Sequence, residues 1–258
     1  MIIECFGCGA RELKCKEILS SRSLSPGAEI TRIVILPIPT SRDGERLTGT
    51  DISLFAAADR IERGTLVVGY GMPQSLASML SEKGVFVFDA AKDEDFLLDN
   101  AYLTALAALS YLLRTEKREP REISVAIIGY GRIGRALARL LMMLGASIFV
   151  YTGKEKNKEE LSALGISTHP SSLFEIGRAR EYGADIVFNT APWALSDAFP
   201  NGALPIGLRL CELASGNNFP SVSGVELLPS LPEKEFPDSA AAALARAVLR
   251  TAEEGLGG

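Results

Sequence analysis

Short apolar runs alternate along the chain with longer stretches whose apolar positions recur at helical spacing. Ile2–Phe6, Arg32–Leu36, Thr65–Gly69 and Val85–Asp89 are runs of β-branched and aromatic residues that stop at Gly- or Pro-bearing turns, and they predict strands. Arg11–Leu19, Leu54–Ile61 and Ser75–Lys83 predict the helices between them. Ser20–Glu29, with Pro26-Gly27, and Ser41–Gly44 predict loops. Asp99–Leu113 predicts a longer apolar helix with Asp99 and Asn100 as N-caps. The charged stretch 114–122 carries Pro120 and predicts a surface boundary between two domains.

The pattern then repeats in kind. Ile123–Ile128, Ser147–Tyr151, Ile166–Thr168, Asp185–Thr190, Arg209–Leu213 and Glu226–Leu228 predict strands. Ala136–Leu144, Lys158–Leu164, Leu173–Tyr182 and Ser239–Glu254 predict helices. Alternation of this sort belongs to an α/β fold with parallel sheets covered on both faces.

Gly129, Gly131 and Gly134 form a G-x-G-x-x-G turn between a buried strand and a helix, the context in which that spacing binds a dinucleotide. Gly129 permits the sharp turn, Gly131 lets a pyrophosphate approach the backbone, and Gly134 lets helix and strand pack closely. The helix start adds free N–H groups and a positive dipole end. Ligands of open α/β sheets lie beyond the carboxyl ends of the strands. That rule selects Tyr130, Arg132 and Ile133 in the turn, then Tyr151, Thr152, Gly153 and Lys154, Thr190, Ala191 and Pro192, and Leu213 and Ala214. Arg132 is expected beside the pyrophosphate or on a substrate carboxylate. The second strand of this half ends in Tyr151-Thr152-Gly153-Lys154, without the carboxylate that would bind a ribose diol. Thr152 and Lys154 suit a 2′-phosphate instead, so NADP is preferred to NAD, with a solvated loop lysine as the alternative for Lys154.

Composition narrows the class. At 258 residues the chain can form two modest domains, and a net charge of −5 without a basic stripe argues against nucleic acid. No apolar run approaches bilayer length and no signal peptide is evident, so a cytoplasmic protein with no membrane partner is expected. Four cysteines give no disulfide framework, and Cys5-x-x-Cys8 with Cys15 nearby lacks the further ligands a metal needs, so no metal is expected. His169 is the single histidine, and its place in a short strand and turn favours a structural role.

Several segments, in order, resemble the A-subunit family of dipicolinate synthase over most of the chain. They are Gly9-Ala-Arg-Glu-Leu13, Ile35-Leu-Pro-Ile-Pro39 with Asp43-Gly44, Asp99-Asn100 with Thr104, the glycine turn, Asn189-Thr-Ala-Pro192, Leu213-Ala-Ser215, and Leu228-Pro-Ser-Leu-Pro232 with Pro237 and Ser239. The resemblance implies two Rossmann-like parallel-sheet domains: a substrate domain at 1–113, a linker at 114–122, an NAD(P)-binding domain at 123–230, and a C-terminal helix at 231–258 returning to the first domain. It implies oxidation of a dihydrodipicolinate-type ring to dipicolinate with NAD(P). Thr40, Ser41, Arg42, Tyr70, Asn100 and Thr104 are the candidate contacts to a small dicarboxylate, and a flavoprotein-like second subunit is the implied partner. A homo-oligomer is expected from paired domains and an apolar Trp193-Ala-Leu195 segment. The chain departs from the family where Leu103 and Leu106 replace its Pro and Glu, where Gly216-Asn217-Asn218 replaces its basic stretch, and where Asp238, Ser230 and Glu233 replace its lysine and two glycines. These departures keep open a dinucleotide-binding partner protein without catalysis. A D-2-hydroxyacid dehydrogenase-like reaction is the other alternative, although His169 falls too early in the domain to be its acid/base.

Overall fold

The computed structural model describes residues 1–7, 9–22 and 30–254. Cys8, and the turn expected at Pro26-Gly27, lie outside them. By their internal contacts the residues form two units, 1–100 with 232–258, and 101–231.

In the first unit, β1 (Ile2–Cys5), β2 (Arg32–Ile35), β3 (Thr65–Gly69) and β4 (Phe86–Asp89) lie side by side in that order, all parallel. The connecting helices are α1 (Ala10–Ser20), α2 (Leu54–Asp59) and α3 (Gln74–Glu82). Ile33, Val34, Ile35, Leu66, Val67 and Val68 are almost wholly buried, which is why these strands read as continuous apolar runs rather than alternating ones. Helix α4 (Glu94–Thr115) begins in this unit and is longer than expected. Its N-cap is Asp93, whose carboxylate accepts the Phe96 N–H at 2.6 Å. Asp99 and Asn100 are therefore second-turn residues rather than caps, and Asp99 is ion-paired to Arg246 at 2.6 Å. Helix α4 also corrects the expectation about apolar length, because its length and composition would let it cross a membrane. Acidic residues at its start hid that in the sequence, and in the fold Phe96, Ala101, Ala105, Ala107, Ala108 and Leu112 are buried.

The C-terminal helix α9 (Pro237–Glu254) returns to the first unit and packs along α1. Pro237 suits a first helical position, and alanine has the highest helix propensity. Ala240, Ala241, Ala243, Ala245 and Ala247 are buried, and such small side chains permit a close helix pair. Arg250 and Arg246 of α9 hold Asp93 and Asp99 at the start of α4.

The second unit is a six-stranded parallel sheet in the order β10-β9-β8-β5-β6-β7. Its strands are β5 (Ser124–Ile128), β6 (Ser147–Tyr151), β7 (Ser167–His169), β8 (Ile186–Asn189), β9 (Arg209–Glu212) and β10 (Val225–Leu227). Helices α5 (Arg132–Met143), α6 (Glu155–Ala163) and α7 (Leu173–Gly177) connect them, and α8 (Leu231–Glu235) precedes α9. The strand order reverses between β5 and β8, which is the topological switch point of the sheet. Helix α7 ends at Gly177, well short of Tyr182, and Gly177 lies against the Ala198 carbonyl, which a Cβ would meet at 2.3 Å, so only glycine fits there. The charged 114–122 segment is not where the units divide. It comprises the end of α4 and a 3-10 turn at Pro120–Glu122, and Arg118 pins it by bridging Glu116 and Asp185 at 3.2 Å each. Leu195 is buried, so the expected apolar segment exposes Trp193 but not Leu195.

Candidate dinucleotide and carboxylate sites

The glycine turn stands at the switch point, and its three glycines meet three different environments. Gly129 has φ +88°, a left-handed conformation open to glycine, and a Cβ there would press Thr190 Oγ1 and Ala191 Cβ at 3.1 Å. Gly134, in the first turn of α5, has no room at all: a Cβ would stand 2.3 Å from the Gly129 carbonyl oxygen. Gly131 caps α5 in extended geometry, and a Cβ on it would meet nothing within 4 Å. That open face over a helix N-terminus is a cradle of the shape a pyrophosphate needs. Arg132 is the exposed first residue of α5, and Ile133 is half-buried.

Tyr130 does not turn its side chain toward that cradle. It is buried, its hydroxyl donates to Glu160 at 3.2 Å, and the Arg135 guanidinium lies 4.7 Å from its ring centroid. Burial raises the Tyr130 pKa, with Glu160 adding to the effect. Arg135 also pairs with Glu160 and donates to Asn157 at 3.0 Å, so the turn is braced against α6.

Beyond β6, Tyr151 and Thr152 are buried and Gly153 and Lys154 are exposed. Thr152 accepts from Asn157 at 3.0 Å, and Lys154 caps α6. This corrects the expectation of Thr152 as a phosphate donor, because its hydroxyl is enclosed and serves the loop, which leaves Lys154 as the exposed cation of that segment. His169 is stacked on Tyr182 with centroids 4.1 Å apart and lies edge-on to Phe149 at 5.1 Å.

The ends of β8 and β9 are locked by a buried carboxylate that sequence reasoning missed. Glu212 accepts from Asn189 Nδ2 at 3.0 Å, from Asn218 Nδ2 at 3.1 Å and from the Ala214 N–H at 2.8 Å. Asn189 closes its own turn by accepting the Ala191 N–H at 3.1 Å. Thr190 donates to the Ile128 carbonyl at 2.9 Å. Together these bonds fix the backbone of Thr190, Ala191 and Pro192 and of Leu213 and Ala214 around the turn. Burial raises the Glu212 pKa, opposed by the hydrogen bonds from Asn189, Asn218 and Ala214. A charged residue closing the apolar run Arg-Leu-Cys-Glu was the available signal for Glu212.

In the first unit the expected dicarboxylate contacts are dispersed. Thr40 is fully buried, and its hydroxyl accepts the Tyr70 N–H at 2.9 Å. It closes the loop after β2 instead of facing a substrate. Ser41 is committed to the same loop, donating to Asp43 at 3.1 Å and accepting from Gly44 at 3.0 Å, and Arg42 is exposed. Tyr70 lies edge-on to Phe96 at 6.1 Å. Thr104 is buried and groups with the second unit. Asn100 instead meets a residue outside the expected contact set: Arg11 Nη1 donates to its Oδ1 at 3.4 Å. Arg11 and Glu12 are 5% and 3% exposed. Burial lowers the Arg11 pKa and raises that of Glu12. A cavity of 510 Å³ lined by Arg63, Gly64, Gly84, Val85 and Phe86 opens at the amino ends of β3 and β4, away from all these groups. Among the described residues no cluster of His, Cys, Asp and Glu could hold a metal.

Residues 107–193 match the family model of the NAD binding domain of D-isomer specific 2-hydroxyacid dehydrogenases. A sequence search of curated proteins finds no match. Among solved structures, the A subunit of dipicolinate synthase from Bacillus halodurans superposes with a TM-score of 0.72 at 17% identity, covering 96% of each chain. The corresponding dipicolinate synthase chain from Bacillus subtilis gives 0.73 at 17% identity, covering 97% of this chain and 95% of that one. A transhydrogenase from Sinorhizobium meliloti gives 0.58 at 14% identity over 96% and 92%. The chain therefore shares their α/β fold, and within its second unit residues 107–193 match an NAD-binding domain, which supports NAD(P) binding there.

Proposed function

We propose that the chain is an NAD(P)-dependent oxidoreductase of the dipicolinate synthase type, converting a dihydrodipicolinate-type ring to dipicolinate and preferring NADP. The observation that carries this reading is the open cradle at Gly131, set between two glycines that admit no side chain, at the switch point of a parallel sheet. The backbone amides at the start of α5 would hold the pyrophosphate, and Arg132 and Lys154 supply cations beside it. The braced backbone at Thr190–Pro192 and Leu213–Ala214 would border the nicotinamide half. Bound there, an oxidised nicotinamide would supply the hydride acceptor for the ring, the accompanying proton would pass to solvent, and aromaticity would drive the oxidation. The chain's own task is to bind and orient a carboxylated ring, and holding reacting groups in place is worth several orders of magnitude in rate. Homo-oligomer formation and a flavoprotein-like second subunit belong to the same proposal.

The test is incubation of the purified chain with dihydrodipicolinate and NADP, with and without a partner protein, following NADPH formation and the aromatic product. No product under either condition overturns the reading. One observation favours the non-catalytic alternative: at two places where the family carries a lysine and a glycine, this chain has Asp238, spent on Lys14, and Glu233, bonded to the Arg11 N–H. Calorimetry showing cofactor binding without any dicarboxylate binding would select it. The 2-hydroxyacid reading lacks an acid/base, because the single histidine is held in the Phe149–Tyr182 cluster.

A further inference from the structure

Arg11 is an anomaly of the first unit. It is 5% exposed, yet among the described residues its guanidinium makes only one hydrogen bond, the 3.4 Å contact to Asn100, and its Nε has no partner. No carboxylate lies within ion-pair distance of it among the described residues. A guanidinium offers five N–H donors, and leaving buried charged donors unpaired is costly. The neighbouring acids, Glu12 and Glu233, offset its burial only through space and accept none of its side-chain hydrogen bonds among the described residues. Glu12 caps the Gly9 N–H at 2.9 Å and Glu233 accepts the Arg11 backbone N–H at 3.5 Å, so both serve the start of α1. The Gly9 and Arg11 amides are thereby taken, and the Arg11 guanidinium is a group still available.

We propose that Arg11, positioned by Asn100, is the carboxylate-binding group of the first unit, a role expected of Arg42 from the sequence. A planar fork of donors matches a carboxylate bidentately, and an enclosed setting strengthens the pair. Glu12 and Glu233 beside it set a limit on the ligand. A second carboxylate on the same spot would face two acids, so the site takes one carboxylate, and a ligand donor group next to it is favoured. The inference deepens the oxidoreductase reading and rests on it only for the identity of the substrate.

The experiment is calorimetric titration of the full chain, without cofactor, with dipicolinate, picolinate and pyridine. Dipicolinate and picolinate should bind with affinities within a few-fold of each other, and pyridine should not bind. Arg11→Met should weaken both acids by about ten- to a hundredfold, the range expected for losing hydrogen bonds to a charged group. Arg11→Lys keeps the charge but loses the fork, and should lie between. In the wild-type protein the arginine side-chain N–H resonances give a readout that needs no variant: one buried Nε–H signal should shift as picolinate is added. Pyridine binding as well as picolinate, or Arg11→Met binding picolinate as tightly as the parent, would overturn the assignment, as would an unchanged Nε–H spectrum. Failure of the oxidoreductase reading is separable, since it shows as absent turnover while carboxylate binding persists.

Discussion

Replacing Gly131 and Gly134 by alanine, one at a time, separates the two duties of the turn. At Gly134 the new methyl would stand 2.3 Å from the Gly129 carbonyl oxygen and 3.2 Å from Thr190 Oγ1. That is about 1 Å inside an ordinary C···O contact. The obstacle is backbone, and the Thr190 hydroxyl, whose one proton is shared between the Ile128 and Gly129 carbonyls, lies 3.2 Å from that same oxygen. Overpacking of this kind costs about 1–3 kcal/mol, and the better helix propensity of alanine returns up to about 1 kcal/mol. With a backbone obstacle the cost lies at the upper end of that range, so the net loss is about 2 kcal/mol, or a Tm lower by about 4–8 °C for a chain of this size. At Gly131 nothing lies within 4 Å and the backbone is one any residue adopts. Loss of a glycine N-cap and the reduced freedom of the unfolded chain nearly cancel, so stability should change by less than about 0.5 kcal/mol. The methyl would instead fill the cradle, and NADPH affinity should fall at least tenfold, about 1.4 kcal/mol. Trp193 is the single tryptophan and follows β8, so its fluorescence in urea reports the second unit, while calorimetry gives NADPH affinity. An undiminished affinity in Gly131→Ala, or parental stability in Gly134→Ala, would refute the reasoning.

Glu212→Gln sets an amide against the donors of Asn189, Asn218 and Ala214, and leaving one unpaired should cost about 1–3 kcal/mol, measured by denaturant unfolding. Because burial raises the Glu212 pKa, its contribution is fully present below the ordinary carboxylate pKa and is lost as pH rises through the raised value. The parent-minus-variant stability difference should therefore shrink across that window as pH rises, and an opposite slope would contradict the account. Burial pushes the Cys15 thiol up to about 12, so it should resist alkylation at neutral pH until the protein is unfolded, which mass spectrometry of native and denatured samples would show. Lys154→Glu should reduce NADP affinity about tenfold while leaving NAD affinity within about threefold, as read by paired titrations, since a like charge then faces the 2′-phosphate.

The alternation of elements, the parallel α/β class and the position of the glycine turn are legible in the residues alone. These follow from periodicity and from glycine stereochemistry, which act between near neighbours in the chain. Errors within that reading were local. Helix α4 starts at Glu94 because Asp93 is the cap, and the apolar pattern alone could not choose between Asp93 and Asp99. Helix α7 ends at Gly177, five residues before the expected Tyr182, and the Ala198 carbonyl packed against that glycine is a contact no local rule contains.

Which polar side chains are enclosed and which stay exposed is settled by the folded arrangement. Thr40 and Thr152 have the residue type and strand-end position of ligand contacts, yet the fold buries both and spends their hydroxyls on loops. Glu212 gains its role from Asn189 and Asn218, and Arg11 gains its own from Asn100, which lies far along the chain. Such groups are paired by the docking of strands and helices, so no spacing rule records them. Desolvation, which makes a buried carboxylate or guanidinium consequential, exists only once the chain has closed over it.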